Sequence, residues 1–301
     1  MRRQARLAIV LVAVPALLAA CAHVPDAKDR KFAQIQYDLA VQATHAGQIQ
    51  EAVADLQEGL ERDPDFPPAH NLLGLLYQLS LGRPKQAEAE YRTALKLKKD
   101  YSEAANNLGS LYLQTHHYAK AEKAFRTALN NVLYATPYLA RGNLGWALYK
   151  QGKTQAGINE IEAAVMAQPK FCQGYRNLAI LYRAKGKQAK ADASVGQFVK
   201  HCPKQPEAQY EWGKVRLGAG DATGARAAFD RCVHLAKDGP LADSCTRLLN
   251  RVGGPLPRKA DVSAHQDSAD GPDLTIPSTG DGAAPAKGAQ GAGGGSEPGG
   301  K

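Results

Sequence analysis

The sequence predicts an all-α protein, a right-handed superhelical solenoid of six helix-hairpin units closed by a C-terminal capping helix. Three observations lead there. A large residue followed by a small one recurs as Leu39-Ala40, Leu73-Gly74, Leu108-Gly109, Leu144-Gly145, Leu178-Ala179 and Trp212-Gly213, and the steps between the small residues are 34, 35, 36, 34 and 34. A second small site follows each, at Ala52, Ala87, Ala121, Gly157, Ala191 and Ala225, with Leu56, Tyr91, Phe125, Ile161, Val195 and Phe229 four residues beyond. Pro64, Pro169 and Pro203 close three of the six units. A repeat of this length marks a stacked architecture whose units share one continuous core.

The first element in chain order is an export signal. Met1-Arg2-Arg3-Gln4-Ala5-Arg6 is cationic, and an uninterrupted apolar run from Leu7 to Ala20 follows it. That run is too short for a spanning helix, which needs about 20 residues, and no longer one occurs, so a polytopic membrane protein is excluded. Leu18-Ala19-Ala20-Cys21 resembles the lipobox of bacterial lipoproteins. The resemblance implies cleavage after Ala20 and acylation of Cys21, with several acyl chains giving stable anchoring. Ala22, in place of the Asp that favours inner-membrane retention in enteric lipoproteins, points to the outer membrane. Residues 21–32 then form a lipidated tether.

Six units follow, at 33–66, 67–101, 102–137, 138–171, 172–205 and 206–239. This is the tetratricopeptide pattern, and its physical sense is direct. In each unit the small residue lets the first helix approach the second closely. The second small site does the same from the other side, and large apolar residues fill the gaps. Proline ends a helix that it cannot continue. Units one and six match the pattern least well, as end units do. After Pro240, Leu241, Cys245, Leu248 and Leu249 form a further apolar stripe, the expected capping helix, so the solenoid runs to residue 252. From Gly253 to Lys301 there are 12 Gly, 6 Pro and no aromatic residue. Such a segment cannot offset its ordering entropy by burial and is expected to be disordered.

Charge and composition narrow the function. The 301 residues are 44% hydrophobic with a net charge of +9. The signal holds three Arg and no acid, so cleavage lowers the charge to +6. An exported basic protein meets no nucleic acid, so the charge is read as a solvated helical surface. No nucleophile elbow, P-loop or S-x-x-K motif is present. His116-His117, His70, His201 and His234 lack metal-ligand spacing. Neither catalysis, a cofactor, a metal nor a small-molecule substrate is expected.

Besides Cys21 the chain has Cys172, Cys202, Cys232 and Cys245. In an oxidising compartment these permit three pairings. On the repeat register Cys172 opens the first helix of unit five and Cys202 ends the second. Cys232 lies late in the last second helix, beside Cys245 on the cap. Cys172–Cys202 and Cys232–Cys245 are therefore the expected pairs, each adding about 2–4 kcal/mol. Free buried thiols are the alternative.

The feature that suggests function is the inner face of the first helices, which lines a groove in this architecture. The residues placed there are Tyr37 and Val41; Asn71, Leu75 and Gln78; Asn106, Ser110 and Leu113; Trp146, Tyr149 and Lys150; Arg176, Ile180 and Arg183; and Tyr210, Lys214 and Leu217. Amides, aromatics and a basic cluster towards the C-terminal half suit an extended or helical peptide. Trp146 stands out, because neither helical packing nor the repeat demands a Trp there. Some tetratricopeptide domains hold a C-terminal carboxylate with a Lys/Asn/Arg set, but the corresponding places here are filled differently.

A lipoprotein signal followed by six such units resembles the pilotins of type IV pilus secretins. The junction Asn130-Asn131-Val132-Leu133-Tyr134-Ala135-Thr136-Pro137, followed by Asn143-Leu144-Gly145, sharpens the likeness. Family members carry a similar extended junction, often with Pro where Val132 stands. The resemblance covers about residues 1–250. It implies a non-enzymatic protein that helps a secretin subunit reach the outer membrane and form its ring. Trp146, Tyr149, Tyr37, Leu75, Leu113 and Arg183 are the expected contacts. A periplasmic scaffold that recruits cell-wall enzymes or outer-membrane assembly factors is the alternative.

Overall fold

The computed structural model describes residues 24–253. The expected signal, Cys21 and the tail beyond Gly253 lie outside the described residues. Thirteen helices are described: α1 (Ala27–His45), α2 (Ile49–Arg62), α3 (Pro67–Leu79), α4 (Pro84–Leu97), α5 (Ser102–Gln114), α6 (Tyr118–Leu129), α7 (Pro137–Lys150), α8 (Thr154–Ala167), α9 (Cys172–Ala184), α10 (Gln188–His201), α11 (Pro206–Gly218), α12 (Ala222–Ala236) and α13 (Gly239–Val252). The first twelve pair as six successive hairpins, each stacked on the next, and α13 packs on α12. This is the superhelical tetratricopeptide fold, with the expected capping helix at its end.

Local chemistry sets the helix limits. Pro67, Pro84, Pro137, Pro206 and Pro240 stand in the first turn of α3, α4, α7, α11 and α13, where the missing N–H would have no partner anyway. Pro64, Pro169 and Pro203 follow the caps of α2, α8 and α10. Inside the hairpins one turn position is left-handed in every unit, held by Gly47, Gly82, Gly152, Gly186 and Gly220, and in unit three by His116 at φ 60°. Glycine takes that conformation without steric cost.

The first helix starts earlier than the repeat implies. A tether reaching residue 32 is not what forms, because α1 begins at Ala27. Asp26 caps it by accepting from the Lys28 and Asp29 N–H groups, and the Asp29 side chain accepts from the Asp26 N–H. This reciprocal cap satisfies several orphan donors and fixes the start.

The core is a series of rings seated on small residues. A Cβ on Gly109 would lie 2.5 Å from Phe125 Cε1, and one on Gly74 would lie 2.8 Å from the Tyr91 ring. Gly213 faces Phe229 in the same way, and Gly145 faces both Ile161 and the Gly157 carbonyl. Tyr91, Phe125, Ile161 and Phe229 are fully buried. Where the first helix carries Ala40 or Ala179, the pattern opposes it with the smaller Leu56 or Val195.

Units three and four are joined by a longer link. The connection between α6 and α7 takes seven residues, where the other second-to-first-helix connections take four. Tyr134 anchors it in the core, and Asn131 Nδ2 donates to the Asp100 carbonyl at 3.0 Å. Val132 and Leu133 project into solvent, 95% and 86% exposed. Nearby, Glu122 on α6 accepts from Lys153 Nζ at 2.9 Å and Gln151 Nε2 at 3.0 Å. Lys153, with Arg126 and Gln151 supporting it, holds that carboxyl at about 2.

The four described cysteines stand in the two expected pairs, Cys172 with Cys202 and Cys232 with Cys245. The first bridges the open end of the α9–α10 hairpin and the second fastens α13 to α12.

Two outcomes follow from this packing. Gly109→Ala should lower stability by about 1–3 kcal/mol, because a methyl is forced against a buried ring. Adding Phe125→Leu should restore part of the loss, since Ala opposite Leu reproduces the pairing of unit one; urea midpoints of the single and double variants give the readout. In the full chain with Cys21→Ala, maleimide labelling under denaturing conditions should find no free thiol before reduction and all four afterwards.

Candidate peptide-binding groove

Three places on each first helix share its inner side: three residues before the small residue, one after it and four after it. The spacing of three and four residues keeps them on one face. In unit one they are Tyr37, Val41 and Thr44, and in units two and three Asn71, Leu75 and Gln78, then Asn106, Ser110 and Leu113. Gly142, Trp146 and Tyr149 follow in unit four, Arg176, Ile180 and Arg183 in unit five, and Tyr210, Lys214 and Leu217 in unit six. Lys150 adjoins Tyr149 at the end of α7.

This face is not evenly accessible. Asn106 and Leu113 were expected to contact a peptide, yet they are 0% and 1% exposed, and Ser110 is equally buried. They belong to the interior. The cause is an amide ladder between neighbouring first helices. Asn107 Nδ2 donates to Asn71 Oδ1 at 3.0 Å. Asn143 Nδ2 donates to Asn106 Oδ1 at 3.3 Å and to Ser110 Oγ at 3.4 Å. One unit further back, Gln78 Oε1 accepts from the Tyr91 hydroxyl at 2.9 Å, while Gln78 Nε2 donates to Gln114 Oε1 at 3.1 Å. These bonds draw α3, α5 and α7 together and close the floor of unit three. Asn143 carries this joint and was missed. The recurring Asn-Leu-Gly of Asn107-Leu108-Gly109 and Asn143-Leu144-Gly145 was the available signal.

The ladder stops at unit five. Where Asn177 would need a partner on α7 stands Gly142, and Asn177 Oδ1 accepts instead from Gln173 on its own helix at 2.8 Å. From Trp146 onwards every residue of the face keeps partial solvent access. Tyr37, Asn71 and Leu75 are also partly exposed, with Tyr37 set edge-on to Phe66 at 5.6 Å.

In the open half the side chains pair as rings and cations. Trp146 and Tyr149 lie 5.2 Å apart, and Lys150 Nζ sits 5.5 Å from the Trp146 ring centre. Trp146 Nε1 is buried without a hydrogen-bond partner. Lys214 Nζ stands 4.6 Å over Tyr210. Glu211 accepts from Arg183 at 3.0 Å and pairs with Lys214 at 2.8 Å, linking α9 to α11. Burial alone would raise the Glu211 carboxyl, but Lys214 and Arg183 overcome it and hold it below the usual carboxylate range. Arg176 has no ion-pair partner among the described residues. The arrangement leaves two kinds of group partly open to solvent, flat rings and cations. Among the described residues, no three His, Cys, Asp or Glu side chains gather as a metal site, and no described helix is long and apolar enough to cross a membrane.

Known proteins share parts of this sequence and its fold. A tetratricopeptide repeat family model matches residues 78–132. Cellulose synthase operon protein C of Xanthomonas axonopodis pv. citri is 27% identical over 202 residues, which is 65% of this chain and 13% of that protein. Type IV pilus assembly protein PilF of Pseudomonas aeruginosa is 30% identical over 99 residues, 33% of this chain and 39% of PilF. The chain therefore spans well under two thirds of the length of either relative. The solved structure of PilW, a type IV pilus biogenesis factor, superposes with a TM-score of 0.63 at 23% identity, over 71% of this chain and 98% of PilW. The chain has the tetratricopeptide fold, and it is similar at low identity to the type IV pilus proteins PilF and PilW.

The ladder makes a clear test. Asn143→Ala should destabilise the protein by about 1–3 kcal/mol, because it strands the Asn106 amide in a sealed interior. Arg176→Ala, at a partly exposed side chain without an ion-pair partner among the described residues, should stay within about 0.5 kcal/mol of the parent. Urea unfolding followed by circular dichroism separates the two.

Proposed function

We propose that this chain is a non-enzymatic lipoprotein, anchored through Cys21 to the inner leaflet of the outer membrane, that acts as a pilotin for a type IV pilus secretin. The lipid holds the solenoid at the membrane, and the groove captures a segment of the secretin subunit. Tethering raises the local concentration of that subunit where the ring assembles. The observation that carries the reading is the open half of the groove, where Trp146, Tyr149 and Lys150 form a partly exposed cluster of rings and a cation. Aromatic anchors beside a cation suit capture of a polypeptide. Similarity to PilF in sequence and to PilW in fold supports the pilus setting.

A second reading has its own support. The match to cellulose synthase operon protein C covers more of this chain than the PilF match does. That match does not tie the chain to pili, and it leaves room for a periplasmic scaffold that recruits cell-wall enzymes or outer-membrane assembly factors.

The experiment is a pull-down from detergent-solubilised envelope with the wild type, Trp146→Ala and Cys21→Ala. Secretin multimers should co-purify with the wild type and fall severalfold in both variants. Normal secretin multimers and normal pili in a deletion strain, with hydrolases or barrel-assembly proteins in the pull-down, would favour the scaffold instead.

A further inference from the structure

Every first helix starts, and every second helix ends, on the same rim of the solenoid, because each unit is an antiparallel hairpin joined by a short link to the next. Among the described residues, the large apolar side chains left exposed gather on that rim. Val24 precedes α1 there, Val132 and Leu133 occupy the link between α6 and α7, and Met166 and Leu235 lie in the last turns of α8 and α12. On the opposite rim, where the hairpins turn, only Leu79 is of this kind, and two more lie midway along α1. The Val132–Leu133 tip is held out by a built turn. Asn131 Oδ1 accepts from the Leu133 N–H at 2.9 Å, Asn131 Nδ2 donates to the Asp100 carbonyl, and the buried Tyr134 anchors the chain beyond. Folding thus fixes two adjacent apolar side chains in water, which marks a contact surface.

The tether says what covers it. Residues 21–26 link the lipid-bearing Cys21 to the start of α1, and such a stretch spans about 20 Å at most. The turn at the far end of α1 stands about 28 Å further off, at 1.5 Å per residue over 19 residues. The anchor therefore holds the rim with the apolar tips beside the bilayer. Cations flank the tip: Lys98 and Lys99 on the link before it and Lys170 on the link after it are exposed, with Asp100 and Glu103 the acids among them. Apolar side chains at the acyl boundary with lysines among the headgroups are the chemistry of an interfacial contact. We infer that this rim docks on the phospholipid surface, with Val132, Leu133 and Met166 entering the lipid interface beside Lys98, Lys99 and Lys170. The inference rests on the anchoring through Cys21 and adds an orientation to it. Contact at the rim leaves the inner face, which runs along the flanks of the first helices, open to another chain.

The test uses the full chain, purified from envelope and reconstituted in vesicles of phosphatidylethanolamine and phosphatidylglycerol with brominated acyl chains. Leu133→Trp places an indole at the tip, and Leu79→Trp places one on the opposite rim. Both replaced side chains are exposed, so the fold should be kept, and circular dichroism melts check this. The emission of the parent, from Trp146 and Trp212, is subtracted. The Leu133→Trp indole should then be quenched about twofold or more relative to unbrominated vesicles, because interfacial apolar groups reach the acyl boundary. The Leu79→Trp indole should be unaffected. Quenching at Leu133→Trp no greater than at Leu79→Trp overturns the inference. So does an unquenched blue shift that grows with protein density in the membrane, which marks a second copy as the occupant. A blue shift that appears only on adding envelope extract marks a protein partner and overturns it too. Radiolabelled palmitate reads the anchor separately. A labelled chain with an unquenched tip keeps the anchor and loses the contact. An unlabelled chain whose tip is quenched on added vesicles keeps the contact and loses the anchor.

Discussion

The structure depends on the close approach of two helices within each hairpin, achieved by seating a large side chain on a small residue. Gly109 against Phe125 and Gly213 against Phe229 are tight forms of the contact, with no room for even a methyl group. A buried ring of this kind contributes on the order of 1.5–3 kcal/mol, and each unit supplies one large residue to the same seat. Its size varies inversely with the seat, Tyr or Phe over Gly and Leu or Val over Ala, except for Ile161, where a second glycine at 157 brings the backbones together. Volume is conserved across the pair, and this lets units of different sequence stack with one geometry. Everything on the inner face follows, because the first helix can present its polar side only when its other side is held against the second.

On that common frame the two halves of the solenoid diverge. Between α3 and α7 neighbouring first helices exchange amide hydrogen bonds, and the inner face becomes interior. Beyond α7, Gly142 removes the acceptor, and the face is held apart by rings, cations and the Arg183–Glu211–Lys214 bridge. The buried amides specify register, since an unpaired one in that setting is costly. The exposed rings and cations hold the helices less closely and leave groups free to meet another chain. An open inner face in half of the repeats thus arises from a local change of residue type, with no change of fold.

Much of this was readable from the residues. The unit limits at 67, 102, 172 and 206 coincide with helix starts, because proline and the small residues report backbone constraints local in sequence. The cysteine pairing was readable for the same reason, since register placed both members of each pair. The start of α1 was not, because its determinant is the Asp26–Asp29 cap, which precedes the first copy of the repeat. The burial of Asn106 and Leu113 was not either. A helical position says which way a side chain points, but its access depends on a neighbour 37 residues later, Asn143, and on the distance at which that neighbour settles. Pairwise chemistry across units is the part that a pattern read one unit at a time leaves out.

Both cysteine pairs lie within α9–α13, in the half where the amide ladder is absent. Covalent links there take over the task that amides perform earlier in the chain. A reductant would therefore act unevenly along the rod, loosening the far end and leaving the near end intact. Rigidity thus has two sources along the rod: packing and amides hold the first units, whereas α9–α13 depend as well on the oxidation state of four thiols.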